Sequence, residues 1–115
     1  MRILVVDDEP LLALDMAAIL REAGDNTIRL AASVAVALNL LRQERFDAAV
    51  LDMNLRGETS ARVAEACTGA GIPFLILSGY NAAQFAKNFE GVPVLAKPCK
   101  PATLVSAVHR LSDAR

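Results

Sequence analysis

Hydrophobic positions along this chain alternate between two kinds of pattern. Short, nearly continuous apolar runs (Ile3-Leu4-Val5-Val6, Ala48-Ala49-Val50-Leu51, Phe74-Leu75-Ile76-Leu77 and Val92-Pro93-Val94-Leu95-Ala96) are separated by longer stretches with helical spacing. Apolar runs of this length, bounded by turn signals, predict buried strands. The first strand is expected over 2–6 and a helix over 10–23. Pro10 suits that helix's first turn, where its missing N–H is no loss, and Gly24 is expected to end it, as glycine often ends helices. Leu11, Leu14 and Ala18, joined by Leu12 and Ile19, form its expected apolar face. A weaker strand covers 27–32. Ser33 then caps a helix with Val34, Leu38 and Leu41 on one side. The third strand spans 47–51. A helix over 58–68 has a thin buried stripe and closes at Gly69 and Gly71. Pro73 opens the fourth strand, where a proline does least harm. Residues 81–88 read as a short helix and 92–96 as the fifth strand. Pro101 starts a last helix with Leu104, Val105, Val108 and Leu111 facing inward.

The result is a (βα)₅ chain of the α/β class. Apolar runs without alternation mean strands covered by helices on both faces, and right-handed crossovers leave few topologies. The expected architecture is a doubly wound, five-stranded parallel sheet of flavodoxin-like order 2-1-3-4-5. Strands one and three are then neighbours at the switch point, where ligands bind beyond the carboxyl ends. Each of the four principal runs stops on a polar residue of a particular kind. The first stops on Asp7-Asp8, the second on Asp52, the third on Ser78 and the last on Lys97. In a parallel sheet these stops share one edge, and Asp7, Asp8 and Asp52 converge.

The 115 residues are one domain's worth, expected over 1–115 with no output domain. At 54% hydrophobic and 22% charged, they can form a packed core without disulfides. A net charge of −1, with no block of like charges, argues against a general grip on nucleic acid or an acidic membrane. No run is long enough to span a bilayer, and the N-terminus lacks a secretory pattern. Cys67 and Cys99 lie far apart with no metal-like spacing, as reduced thiols in a cytoplasmic protein do. No G-x-G-x-x-G motif supports nucleotide binding.

The polar edge has a specific chemical use. Two carboxylates about 4 Å apart repel by roughly 1 kcal/mol in water and roughly 4 at an effective dielectric of 20. Hard oxygen ligands of this kind favour Mg²⁺ or Mn²⁺. One Asp of the pair would bind directly with Asp52, and the other through water. An Asp beside such an ion can also be a nucleophile, giving an aspartyl phosphate. The transition state spreads charge over three equatorial oxygens. The metal takes one, the Ser78 hydroxyl a second and the Lys97 ammonium a third. Each residue also has an ordinary reading: Asp8 as a helix cap, Asp52 as a turn former, Ser78 as a loop opening and Lys97 as a solvated lysine. Against these stands the common structural phase of all four sites.

With "VVDDEP", "AVLDMNLRGE", "LILSGY" and the "KP" of "LAKPCKP" in order, the chain resembles, over its whole length, the receiver domain of two-component response regulators. The resemblance implies that Asp52 accepts phosphate from a sensor histidine kinase or phosphotransfer protein. It implies Mg²⁺ ligation by Asp8, Asp52 and the backbone carbonyl of Asn54, with Asp7 acting through water. Ser78 would sense the phosphoryl group, Lys97 would pair with it, and the Lys97–Pro98 bond would be cis. One position departs from the family pattern: Val94 stands where receivers commonly carry a switching Tyr or Phe. Tyr80 follows Ser78 by two residues, and "PFLILSGYN" is similar to the FAT GUY subgroup of stand-alone receivers, with Ile76, Leu77, Ser78 and Asn81 differing. On this reading Tyr80 and the loop to about residue 88 take over the switch, and the face around 78–101 changes shape for a downstream protein or in a phosphate sink.

Asn54 argues against a dedicated phosphatase of the haloacid dehalogenase type, which wants a second Asp there as general acid. The expected role is therefore phosphoacceptor, not dedicated enzyme. His109, the single histidine, is expected at the margin of the last helix with no relay role. A receiver segment of a hybrid kinase or longer regulator, and a pseudo-receiver working without phosphate, are the alternatives.

Overall fold

The computed structural model describes residues 1–55, 57–79, 91–97 and 99–113. Among the described residues the elements follow in order: β1 (Arg2–Val6), α1 (Pro10–Glu22), β2 (Thr27–Ala31), α2 (Val34–Gln43), β3 (Ala48–Asp52), β4 (Asn54–Leu55), β5 (Glu58–Thr59), α3 (Ala61–Ala70), β6 (Phe74–Ser78), β7 (Val94–Ala96) and α4 (Pro101–Asp113). Five strands make one sheet of order β2-β1-β3-β6-β7, every neighbour parallel. This is the expected doubly wound, flavodoxin-like topology, with β4 and β5 as a small separate hairpin. The expected helix over 81–88, Tyr80 and the Lys97–Pro98 bond lie outside the described residues.

Successive strand residues point to opposite faces, so each run supplies two cores. Leu4, Val6, Ala49, Leu51, Phe74 and Ile76 pack with Val34 and Ala37 of α2 and with Val63, Ala64 and Cys67 of α3. Ile3, Val5, Ala48, Val50, Leu75 and Leu77 pack with Met16, Ala17 and Leu20 of α1 and with Leu104, Val108 and Leu111 of α4. Because both faces are covered, β1, β3 and β6 carry no polar alternation, whereas the edge strand β2 exposes Thr27 and Arg29.

Helix α1 presents a different face from the one expected. Ala13, Met16, Ala17 and Leu20 are buried, whereas Leu11 is 82% exposed and Leu14 55%. Leu12 and Ala18 are also exposed, and Ile19 packs only at the core's margin. The segment LLALDMAAIL is apolar nearly all round, so periodicity offers two stripes. The sheet takes the one whose small residues, Ala13 and Ala17, let the helix approach. Gly24 is not the terminator: α1 ends at Glu22, and its cap residue Ala23 has ordinary right-handed geometry.

The expected helix over 58–68 begins later. Glu58 and Thr59 pair antiparallel with Leu55 and Asn54, and Gly57 just before them takes a φ of 85°. Helix α3 then runs through Gly69 to Ala70 and stops at Gly71, whose φ of 72° suits glycine. In α4, Ala107 faces the core and Val105 is only half-buried. The fifth sheet strand is shorter than expected, with Val92 packed on the core just before it. Ser33 caps α2 as expected, its hydroxyl accepting the Val36 N–H at 3.2 Å. No helix among the described residues is long and apolar enough to cross a membrane.

Two measurements check this packing. Leu20→Ala should lower stability in urea by about 2–5 kcal/mol, as buried leucine truncations do. Leu11→Ala should stay within about 0.5 kcal/mol of wild type, as exposed substitutions do. Cys67 is fully buried, and burial pushes its thiol up to about 12, while Cys99 is half-buried. A thiol reagent at neutral pH should modify Cys99 in the folded protein and reach Cys67 only in denaturant.

Candidate functional site

Strand register brings the polar stops to one level. Val6 lies opposite Leu51, so the residues after them, Asp7 and Asp52, are adjacent. Asp52 pairs with Leu77 and Ser78 with Ala96, which places Ser78 and Lys97 one step beyond. Backbone bonds carry the sheet past its edge: Asp7 N–H donates to Ala31 O at 3.0 Å, Met53 N–H to Leu77 O at 2.9 Å and Lys97 N–H to Ser78 O at 3.0 Å. Each functional side chain is thus held by a rigid strand end.

Asp7, Asp8 and Asp52 each offer a carboxylate oxygen within 4.8 Å of the others, the only such group among the described residues. Lys97 Nζ lies 3.1 Å from Asp52 Oδ1 and 3.5 Å from Asp7 Oδ2. Asp7 and Asp52 are buried and Asp8 is half-buried. Asp7 Oδ1 accepts the Glu9 N–H at 2.9 Å, fixing the turn into α1. The helix-cap position falls on Glu9, whose side chain makes no cap hydrogen bond, and not on Asp8 as expected.

Among the described residues, the three clustered carboxylates outnumber the one ammonium that pairs with them, Lys97. Burial raises the Asp52 carboxyl above its ordinary value. Asp7 adds to this, while the Lys97 hydrogen bond and charge and the Asn54 N–H oppose it. For Lys97, burial pulls downward, but the hydrogen bond and charge of Asp52, joined by Asp7, outweigh it and the ammonium is held above its usual range. Asp7 Oδ2 is buried with no hydrogen-bond donor among the described residues, leaving only the ion pair to Lys97. Clustered negative charge and hard oxygen donors together suit a divalent cation.

The carboxylates open into a cleft of about 360 Å³ whose walls include Asn54, Gly57, Ser78 and Lys97. Ser78 is buried and its hydroxyl donates to Met53 Sδ at 3.5 Å. Asn54 is exposed at the rim on β4. Val94 is half-buried in β7 and packs toward α2 and α3, while His109 is exposed on α4. The structure therefore gathers Asp7, Asp8, Asp52, Asn54, Ser78 and Lys97. Sequence reasoning passed over Met53 and Glu9. Met53 was legible in principle, since the residue after Asp52 must lie beside Ser78 once strands three and four are neighbours.

Comparisons with known proteins agree with this geometry. A family model described as response regulator receiver domain matches residues 3–109. A response regulator receiver protein from Sinorhizobium medicae WSM419 is 29% identical, with 99% of this chain and 95% of that one covered and a TM-score of 0.91. SdrG from Sphingomonas melonis Fr1 is 36% identical over 96% of this chain and 95% of its own, with a TM-score of 0.83. The chemotaxis response regulator CheY4 of Vibrio cholerae is 25% identical, covering 96% and 97%, with a TM-score of 0.83. No curated protein matches the sequence.

The acidic cluster makes stability respond to cations. A divalent cation at about 100 times its dissociation constant should stabilise the wild type by about 2.7 kcal/mol, and Asp52→Asn should remove most of that gain. The Asp52 pKa is raised on folding, so this group contributes stability below its unfolded pKa and loses it as pH rises through the folded value. Metal-free Asp52→Asn should therefore gain on wild type over that same rise in pH. Thermal melts with and without magnesium, across pH, check both.

Proposed function

The chain belongs to the response regulator receiver domain family, and we propose that Asp52 is its phosphoacceptor, charged by a sensor histidine kinase or a phosphotransfer protein. The observation that carries this reading is the buried Asp52 carboxylate, 3.1 Å from Lys97 Nζ and grouped with two further aspartates. Residues 1–115 form one receiver domain on this reading, acting in the cytoplasm as phosphoacceptor and not as a dedicated phosphatase.

Mg²⁺ is the cation we assign to the cluster, with Mn²⁺ as a substitute. Asp8, Asp52 and the Asn54 carbonyl would hold it, with Asp7 acting through water. When bound, the ion supplies charge neutralisation to the incoming phosphoryl oxygens. The chain's own residues do the rest. Asp52 is the nucleophile, and one carboxylate oxygen bonds phosphorus as the donor imidazole leaves. Lys97 already faces that carboxylate and stabilises negative charge developing on the phosphoryl oxygens. Ser78, on the adjacent strand end, offers a neutral hydroxyl to another phosphoryl oxygen.

Phosphorylation brings roughly −1.5 to −2 charges and three acceptor oxygens to this edge. Ser78 and Lys97 follow that charge, and the segment from 78 to 101 changes shape for a downstream protein partner. Val94 supplies no aromatic ring for the customary switch. We therefore assign the coupling to Tyr80 and the chain to the FAT GUY subgroup, on the support of Pro73-Phe74 and Ser78-Gly79-Tyr80.

Incubation with acetyl phosphate and Mg²⁺ should add the mass of one phosphoryl group to intact protein, and Asp52→Asn should abolish it. An inert wild type would overturn the reading and favour a surface that works without phosphate. Ser78→Ala should still accept phosphate, at a rate lower by up to about 10²-fold, within the range seen on loss of one charge-stabilising donor. Its NMR shifts on phosphorylation should be reduced around 78–101. Phosphotransfer from a panel of sensor kinases identifies the donor.

A further inference from the structure

Met53 stands directly after Asp52, and none of the chemistry above uses it. Its backbone is pinned on both sides: the N–H donates to Leu77 O at 2.9 Å and the carbonyl accepts the Ser60 N–H at 3.0 Å. Its side chain is half-buried, packs against the core beneath α2 and α3, and lines the same cleft as Asp52 and Lys97. Its sulfur accepts the Ser78 hydroxyl at 3.5 Å. Register makes this meeting unavoidable, since Asp52 lies opposite Leu77 and the next residues on each strand are Met53 and Ser78.

We propose that Met53 is a positioning residue that holds the Ser78 hydroxyl at the cleft wall until a phosphoryl group arrives. This rests on the reading of Asp52 as phosphoacceptor. The chemistry of the acceptor is what suits it to the task. A thioether sulfur is a weak acceptor, so the bond orients the hydroxyl yet yields to a charged phosphoryl oxygen, whose hydrogen bonds are roughly twice as strong as neutral ones. A carbonyl or carboxylate in the same place would compete harder and hold Ser78 back. Met53 therefore contributes to how readily the Ser78 hydroxyl turns to a phosphoryl oxygen, and with it to the affinity for the phosphoryl group.

Substitutions that weaken or strengthen the acceptor should act in opposite directions. Leucine conserves volume and removes the sulfur, at a stability cost usually below about 1.5 kcal/mol. Glutamine keeps the length and supplies a stronger carbonyl acceptor. With full-length protein and saturating Mg²⁺, NMR titration with beryllium fluoride, a phosphoryl mimic, gives the half-saturating concentration. Met53→Leu should lower it, and Met53→Gln raise it, each by roughly two- to tenfold, the equilibrium equivalent of one hydrogen bond's net contribution. In a Ser78→Ala background both substitutions should lose their effect, because the coupled partner is gone. Shifts in the same direction, no shift, or effects that persist without the hydroxyl would overturn the inference while leaving Asp52 as phosphoacceptor. A wild type that binds no beryllium fluoride would sink that assignment, and this inference with it.

Discussion

Mutual repulsion among Asp7, Asp8 and Asp52 is the constraint around which this protein is built. Their oxygens lie within 4.8 Å of one another. At an effective dielectric near 20, each such pair of charges costs roughly 3–4 kcal/mol. Lys97 offsets part of this by reaching two of the three carboxylates. The remainder is what makes the site receptive to cations and to an anion that arrives with them.

A site under such stress needs a rigid support, and the sheet provides it. All five strands are parallel, and the polar stops lie at the carboxyl ends of β1, β3, β6 and β7. Below them β1, β3 and β6 are buried on both sides by two separate cores, and β7 is half-buried at the sheet's edge. The small Ala13 and Ala17 on α1, and Val63, Ala64 and Cys67 on α3, bring helices close enough to cover the strands. Stability is thus gathered in the layers, and the unfavourable charges are confined to one edge. The Ser78–Met53 contact sits where these two regions meet. Core packing holds the sulfur, and the cleft exposes the hydroxyl to whatever Asp52 carries.

Much of this was legible in the sequence because its signals are local. Unbroken apolar runs announced doubly covered strands, and the residue ending each run announced its chemistry. Ser33 and Pro10 marked helix starts through backbone requirements that neighbouring residues satisfy. The misreadings were of helix phase and of element boundaries. Helix α1 carries Leu11 and Leu14 beside Ala13 and Ala17, and periodicity alone ranks the larger residues inward. Glu58 has helical propensity enough to extend α3, yet Gly57 and the β-branched Thr59 favour pairing back on Asn54 and Leu55 as a hairpin.

The linear chain by itself determined which functional groups this edge would carry: three carboxylates, a hydroxyl and an ammonium, each placed at the end of an apolar run. It determined the α/β class too, because strand and helix periods follow from backbone geometry. Only the tertiary structure decided the distances. Lys97 reaches Asp52 and Asp7 through parallel register between residues scores of positions apart, and Met53 meets Ser78 for the same reason. Helix orientation was likewise settled by fit against the sheet, since burial responds to the shape of the opposing surface and sequence spacing contains no record of it.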